Sequence, residues 1–192
     1  MMFDTHPIAP HEWQSVYGFK EWTQETLLAY LEQAGIEFEL VSHSAVFTMA
    51  DSAELSIALS GRRCKNLLLR DKKSRVFFLV VLAPETSIDL AALGQLMGAG
   101  RLSLCPAEQM YELLHVVSGA LSPFALIGDS QVHKVRLLWD ASLAGEDSFL
   151  FHPLRNTATV SISQRDFSRF LALTGHLMET LAIPSRPHLA SA

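Results

Sequence analysis

The stretch KNLLLRDKKSRVFFLVVLA, residues 65–83, holds two apolar runs, 65–70 and 76–82, separated by the polar linker Asp71-Lys72-Lys73-Ser74. Short runs of this kind, bounded by polar residues, read as strands, and a linker of this length joins them as an antiparallel hairpin. Parallel neighbours would need a crossover of about a dozen residues or more. Further along, the strand-like runs 149–151 and 159–162 are again closely joined. Helical patterns alternate with these strands, so a purely parallel doubly wound sheet is excluded. The expectation is one α/β domain built on a mixed sheet.

Working outward, Thr23 opens a helix in which Leu27, Leu28, Tyr30 and Leu31 follow helical spacing, and Gly35 is placed to end it. Residues 36–41 alternate as a half-buried strand. Thr48-Met49-Ala50-Asp51 has the Thr-x-x-acid pattern that starts a helix, here running to Gly61. Asp89 caps a short helix through 96, 101–104 reads as a strand, and Pro106 fits the first position of a helix ending near 114. Strands are expected at 124–127 and 135–139. Ser163-Gln164-Arg165-Asp166 starts a helix that runs to Thr174 and stops at Gly175. The division is an N-terminal extension over 1–21, a domain over 22–178, and a tail over 179–192 that frays beyond 181.

Composition narrows the function. The 192 residues are 49% hydrophobic and 18% charged, enough to bury a sizeable core. The longest apolar run, 76–83, is far short of the roughly 20 residues that cross a bilayer, and residues 1–7 have no basic start followed by an apolar stretch. The expected location is the cytoplasm, with no membrane partner. Cys64 and Cys105 and eight scattered histidines show no zinc-binding spacing, so no metal and no other cofactor is expected. The chain also lacks a G-x-S-x-G elbow, a P-loop and a G-x-G-x-x-G fingerprint.

A net charge of −5 argues against bulk electrostatic coating of nucleic acid. Yet seven of the fifteen Lys and Arg residues lie between 62 and 75, with Asp71 the only acid among them. This cluster is either a solvated hairpin with charged edges or a phosphate-contacting patch with Arg70, Lys72 and Lys73 at its centre.

Two further segments are dense in chemistry. In 151–159, FHPLRNTAT, an imidazole, a guanidinium, an amide and hydroxyls sit beside apolar residues, and Pro153 holds His152 extended. Residues 119–123, GALSP, offer backbone N–H groups where glycine admits close approach. Lys65, at the start of an apolar strand, would be partly desolvated, and it reads equally as a phosphate or carbonyl ligand or as an ordinary strand-end lysine. His152 is either a structural residue or a functional one. Cys64, flanked by Arg63 and Lys65, could be an activated thiol, but a buried strand cysteine without a base partner fits better.

Taken together, 65–71 (KNLLLRD), 119–127 (GALSPFALI) and 151–159 (FHPLRNTAT), in this order, resemble the YbaK/prolyl-tRNA-synthetase-associated editing domain family. The resemblance spans about Thr23 to His176 and is strongest to free-standing editors that deacylate alanyl-tRNA(Pro). It implies a mixed, largely antiparallel, barrel-like sheet surrounded by helices. It also implies hydrolysis of the ester joining a wrong amino acid to the 3′-terminal adenosine, with the terminal ribose hydroxyl helping to activate water.

By the same resemblance Lys65 and His152 are the catalytic pair. Lys65 meets the ester or terminal phosphate, and His152 anchors the aminoacyl or adenosine end. Asn66, Gly119, Ser122, Pro123, Asn156, Thr48 and His43 line the substrate pocket, and Arg70, Lys72 and Lys73 contact tRNA. The expected partners are tRNA(Pro) mischarged with a small amino acid and prolyl-tRNA synthetase. Preference for Cys or Ser esters stands as an alternative, as does a non-catalytic module binding an aminoacyl-adenosine or nucleotide. The chain departs from the family at His115, usually glycine, and Ser118, usually proline.

Overall fold

The computed structural model describes residues 8–45 and 58–186. The helix expected from Thr48 lies outside the described residues. The hairpin that opened the sequence reading forms as β3 (Lys65–Asp71) and β4 (Phe77–Leu82), paired antiparallel with Lys65 opposite Leu82. Asp71 makes the turn: its carboxylate accepts from the backbone N–H of Arg75 at 2.6 Å and of Val76 at 3.1 Å, bonds that hold its pKa below the usual value. Ser74 takes a positive φ of 52° within it.

β4 is the middle of a five-stranded sheet ordered β5-β3-β4-β6-β9, with β5 (Leu102–Leu104), β6 (Val135–Asp140) and β9 (Met178–Leu181). β4–β6 and β6–β9 are parallel, while β3 pairs antiparallel with β4 and β5. The second sheet is β1-β8-β7-β2, with β1 (Phe38–Ser42), β2 (Arg62–Arg63), β7 (Ser148–Phe151) and β8 (Ala158–Ser163). The sheets are mixed and flanked by helices, as expected. Among the described residues they remain two sheets, with the chain passing between them at Cys64, and do not close into one barrel.

All six residues of β4 are buried, and alternation sends them into two cores. Phe77, Leu79 and Val81 join the larger core with Leu137, Trp139, Phe124, Phe149, Phe151, Phe167 and Phe170. Phe78, Val80 and Leu82 join a smaller one with Leu93, Leu102, Leu138 and Ile183. Helix α3 (Leu90–Leu96) covers the smaller core and begins at Asp89, whose carboxylate accepts from the N–H groups of Ala91 and Ala92. Helix α5 (Gln164–Thr174) closes the larger core, capped by Ser163 and ended by Gly175 in the left-handed region.

Several expectations are corrected. Residues 124–127 are not a strand but part of a 3-10 helix, Pro123–Asp129, started by Ser122 accepting from the Phe124 N–H and by the fixed φ of proline. A short run buried on every side has no period to tell the two apart. Pro106 is the N-cap of α4 (Ala107–Leu114) rather than its first residue. The boundary at 178/179 cuts through β9, so the tail belongs to the sheet at least to Leu181.

Nor do residues 182–186 fray. The Asp89 N–H donates to the Pro184 carbonyl at 2.8 Å, the Arg186 N–H to the Ser87 carbonyl at 2.7 Å, and Ile183 is buried. The extension is also packed down from residue 8. Helix α1 (Pro10–Tyr17) buries Trp13 edge-on against Tyr30 of α2 (Gln24–Gln33), and the Tyr30 hydroxyl donates to the Ile8 carbonyl at 3.0 Å.

Gly94 ties α3 to the strand that follows. A Cβ at this position would run into the backbone carbonyl of Gly100, and an alanine Cβ has no rotamer to relieve the clash. Gly94→Ala is expected to cost about 3 kcal/mol, read as a lower urea midpoint with an unchanged slope.

Candidate active site

Two expected site residues, Lys65 and His152, follow closely on the short parallel pair of β2 and β7. β2 runs parallel to β7, with Arg62 beside Phe149 and Arg63 beside Leu150. Lys65 opens β3 two residues after β2 ends, and His152 directly follows β7. Phe149 and Phe151 point into the larger core, so His152 emerges on the opposite, outer face of its sheet.

His152 is fixed from three sides. Its Nδ1–H donates to the Ala158 carbonyl at 2.8 Å, since a carbonyl can only accept. Its own carbonyl accepts from the Ser122 hydroxyl at 2.7 Å, and the His43 ring lies 5.8 Å away, centroid to centroid. Burial lowers its pKa, the Ala158 bond opposes this, and His43 adds to the lowering. The neutral ring therefore carries its lone pair on Nε2.

The loop after it is strained. Leu154, buried and bulky, holds a φ of 64°, while its N–H donates to the His152 carbonyl at 3.0 Å. Asn156 follows, partly buried and engaged.

Lys65 is partly desolvated, as its position suggested, and burial lowers its pKa against the opposing field of Glu85. Its Nζ donates to the Thr86 carbonyl. Glu85 in turn pairs with Arg62 at 2.9 Å, and Arg62 also approaches Glu146 at 3.7 Å. Strict alternation along β3 puts Lys65 on the face of Leu67 and Leu69, whereas Asn66 shares the face of Leu68 and the larger core. Asn66 presents a buried Oδ1 without a hydrogen-bond partner among the described residues. The two residues thus approach the site from opposite faces of one strand end.

Two expected pocket residues prove to stand behind the wall. Ser122 is fully buried and Pro123 is buried too, because the 3-10 helix they start plugs the core. Ser122 holds the His152 backbone instead of presenting its hydroxyl. Gly119, partly exposed at φ 88°, remains on the surface of that loop. His43 is half-buried with both ring nitrogens engaged: Nδ1–H donates to the Ser44 carbonyl at 2.7 Å, and Nε2 accepts from the Thr159 hydroxyl at 2.9 Å. Thr48 lies outside the described residues.

Cys64 is buried and its thiol is pushed up to about 12, chiefly by desolvation, which leaves it without nucleophilic character at neutral pH. The cationic cluster is divided. Arg62 and Lys65 lie at one end of the hairpin region, while Arg70, Lys72, Lys73 and Arg75 lie toward the other, about 20 Å away at roughly 3.3 Å per residue. Arg70 donates to Ser74 at 2.7 Å and Arg75 pairs with Asp71 at 3.8 Å, whereas Lys72 and Lys73 are exposed.

Sequence reasoning missed Glu85, Thr86 and the Ala158 carbonyl as partners of the site. Backbone acceptors leave no signal in residue type, and the loop 84–86 showed only its proline.

Comparison with known proteins places this mixed fold among aminoacyl-tRNA editing domains. Residues 43–170 match the aminoacyl-tRNA editing domain family. The chain is 29% identical over 160 residues to the prolyl-tRNA editing protein ProX of Acetoanaerobium sticklandii, covering 83% of this chain and 97% of that one. It is 32% identical over 105 residues to the multifunctional Ser/Thr-tRNA deacylase ProXp-y of Escherichia coli K12, covering 54% and 63%. A crystal structure described as a candidate trans-editing enzyme for prolyl-tRNA synthetase shares the fold, with a TM-score of 0.59 at 18% identity over 87% of this chain and 100% of that one. The chain belongs to the aminoacyl-tRNA editing domain family, and it is an enzyme, an aminoacyl-tRNA deacylase.

A lowered pKa means that His152 is neutral at pH 7 and charges only as pH falls below its ordinary value. NMR titration of its ring is expected to give a midpoint below about 6.5; a midpoint above it would contradict the burial argument.

Proposed function

We propose that the protein is a trans-editing deacylase that hydrolyses mischarged tRNA(Pro), with alanine as the amino acid removed. The observation that carries the reading is the neutral His152, pinned through Nδ1 and offering Nε2 as an acceptor beside a lysine-bearing strand end. Such a site suits an ester whose own terminal ribose hydroxyl helps to activate water. Water adds to the acyl carbon, the bond from that carbon to the ribose oxygen breaks, and the ribose oxygen leaves with a proton.

In this reading His152 Nε2 accepts from the ribose hydroxyl or the α-ammonium group and so orients the ester. Lys65 exchanges the Thr86 carbonyl for the ester carbonyl or the terminal phosphate, and stabilises the charge that develops. Asn66 supplies its unpartnered Oδ1 to the substrate from the other side. Gly119 and Asn156 complete the wall, and the work is done in the cytoplasm, beside prolyl-tRNA synthetase.

Alanine follows from size, because a synthetase pocket shaped for proline cannot strongly exclude a smaller side chain and a second sieve is needed. The likeness to a Ser/Thr-tRNA deacylase favours, as a second reading, an ester of serine. A panel of Ala-, Ser- and Cys-tRNA(Pro) separates them. The expected result is Ala-tRNA(Pro) hydrolysed at least about tenfold faster than the others, a factor that one small group in a pocket can supply; no rate above buffer for any ester would reject the proposal. Lys65→Ala should then lower turnover more than it lowers binding.

We also assign Lys72 and Lys73 to the tRNA backbone, at a distance from the ester that a bound acceptor stem can span. Reversing both to Glu is expected to weaken tRNA binding and to flatten the slope of log K against log salt by about one to two units. An unchanged slope would make the turn a solvated hairpin tip.

A further inference from the structure

Thr159 is a buried hydroxyl, 5% exposed, on the outer face of the four-stranded sheet. Its neighbours in β8, Val160 and Ile162, are core residues. The β7–β8 register sets Phe151 opposite Val160, so one further step sets His152 opposite Thr159. The β1–β8 register sets Val41 opposite Thr159, and His43 lies two residues beyond Val41 on the same face. Thr159 therefore stands between two imidazoles whose centroids are 5.8 Å apart.

The hydrogen bonds give the arrangement a direction. Since the Ser44 carbonyl takes the Nδ1–H of His43, the lone pair of the neutral ring sits on Nε2, and the Thr159 hydroxyl donates to it at 2.9 Å. His43 has no nitrogen left for a substrate, and what it presents to the site is its ring. His152, by contrast, has one ring hydrogen bond among the described residues, to Ala158. One bond leaves an imidazole free to rock about it, and the packed His43 ring supplies a second restraint.

We infer that Thr159 is a positioning residue for deacylation: its hydroxyl locks the His43 ring, and the locked His43 ring fixes His152 so that Nε2 stays oriented toward the ester. The inference rests on the reading of His152 as the substrate anchor.

The test is a double-mutant cycle with a rescue, read by single-turnover deacylation of Ala-tRNA(Pro). Thr159→Val is expected to lower kcat about tenfold with KM unchanged within about twofold, because small misplacements cost rate more than binding. Thr159→Ser should restore kcat to within about threefold of the original. His43→Ala combined with Thr159→Val should be no slower than His43→Ala alone, since both remove one coupling. Full kcat in Thr159→Val, or losses that multiply in the double variant, would overturn the inference. Should Thr159→Val fail to fold, Thr159→Ala against Thr159→Ser gives the same comparison.

A readout independent of turnover is the NMR signal of the His152 ring. It is expected to shift and broaden in Thr159→Val and to stay in place in Thr159→Ser, and an unmoved signal in Thr159→Val would overturn the coupling. If the unaltered protein hydrolysed none of the three esters, the proposed substrate would fall, while this signal would still decide whether Thr159 positions His152.

Discussion

Burial of β4 on both faces is the constraint from which the rest of the structure follows. Six consecutive residues, Phe77 to Leu82, lose almost all contact with water, so each face needs its own cover. Aromatic residues from β6, β7, the 3-10 helix and α5 supply one cover, and α3, β5 and Ile183 supply the other. A slip of one residue in the β3–β4 pairing would exchange the two sets of side chains, and with them the faces on which Lys65 and Asn66 emerge. The register that packs the cores therefore also aims the site.

The parts of the fold legible in the sequence are those where one local rule acts alone. Asp89, Ser163 and Gly175 each mark a helix end by side-chain or backbone chemistry confined to a few residues. The hairpin 65–82 was legible because its linker is too short for any other connection. Residues 124–127 were not, because burial on every side erases the period that separates a strand from a helix. β9 and the ties of 182–186 were hidden for another reason: their partners, β6 and the segment 87–89, lie far away in the chain, and nothing local in METLAIPSR announces them.

Much the same division runs through the site. His152 and Lys65 could be singled out because an imidazole before proline and a lysine opening an apolar strand are chemically conspicuous. Their partners could not, since Lys65 and His152 are both held by carbonyl oxygens, which every residue possesses. Ser122 and His43 were identified as part of the site but their roles were reversed by direction: one faces the core to hold the His152 backbone, and the other spends both nitrogens inside the protein. Residue type finds the members of such a site. Only register and hydrogen-bond direction assign them to substrate or support.

Among the described residues, four other than glycine take a positive φ: Ser74, His115, His133 and Leu154. His115 ends α4 in the left-handed region at φ 55°, a conformation that glycine adopts at less cost. Leu154 carries a similar φ while buried beside His152, a conformation worth on the order of 1–3 kcal/mol for a bulky residue. No helix cap or turn elsewhere in the described chain puts so large a buried side chain in that region. Under the proposed mechanism, in which the substrate lends its activating hydroxyl, the protein would have little covalent chemistry to perform and would contribute chiefly the placement of the ester. A wall stiff enough to hold Leu154 against its own torsional preference is stiff enough to hold His152 where that placement requires it.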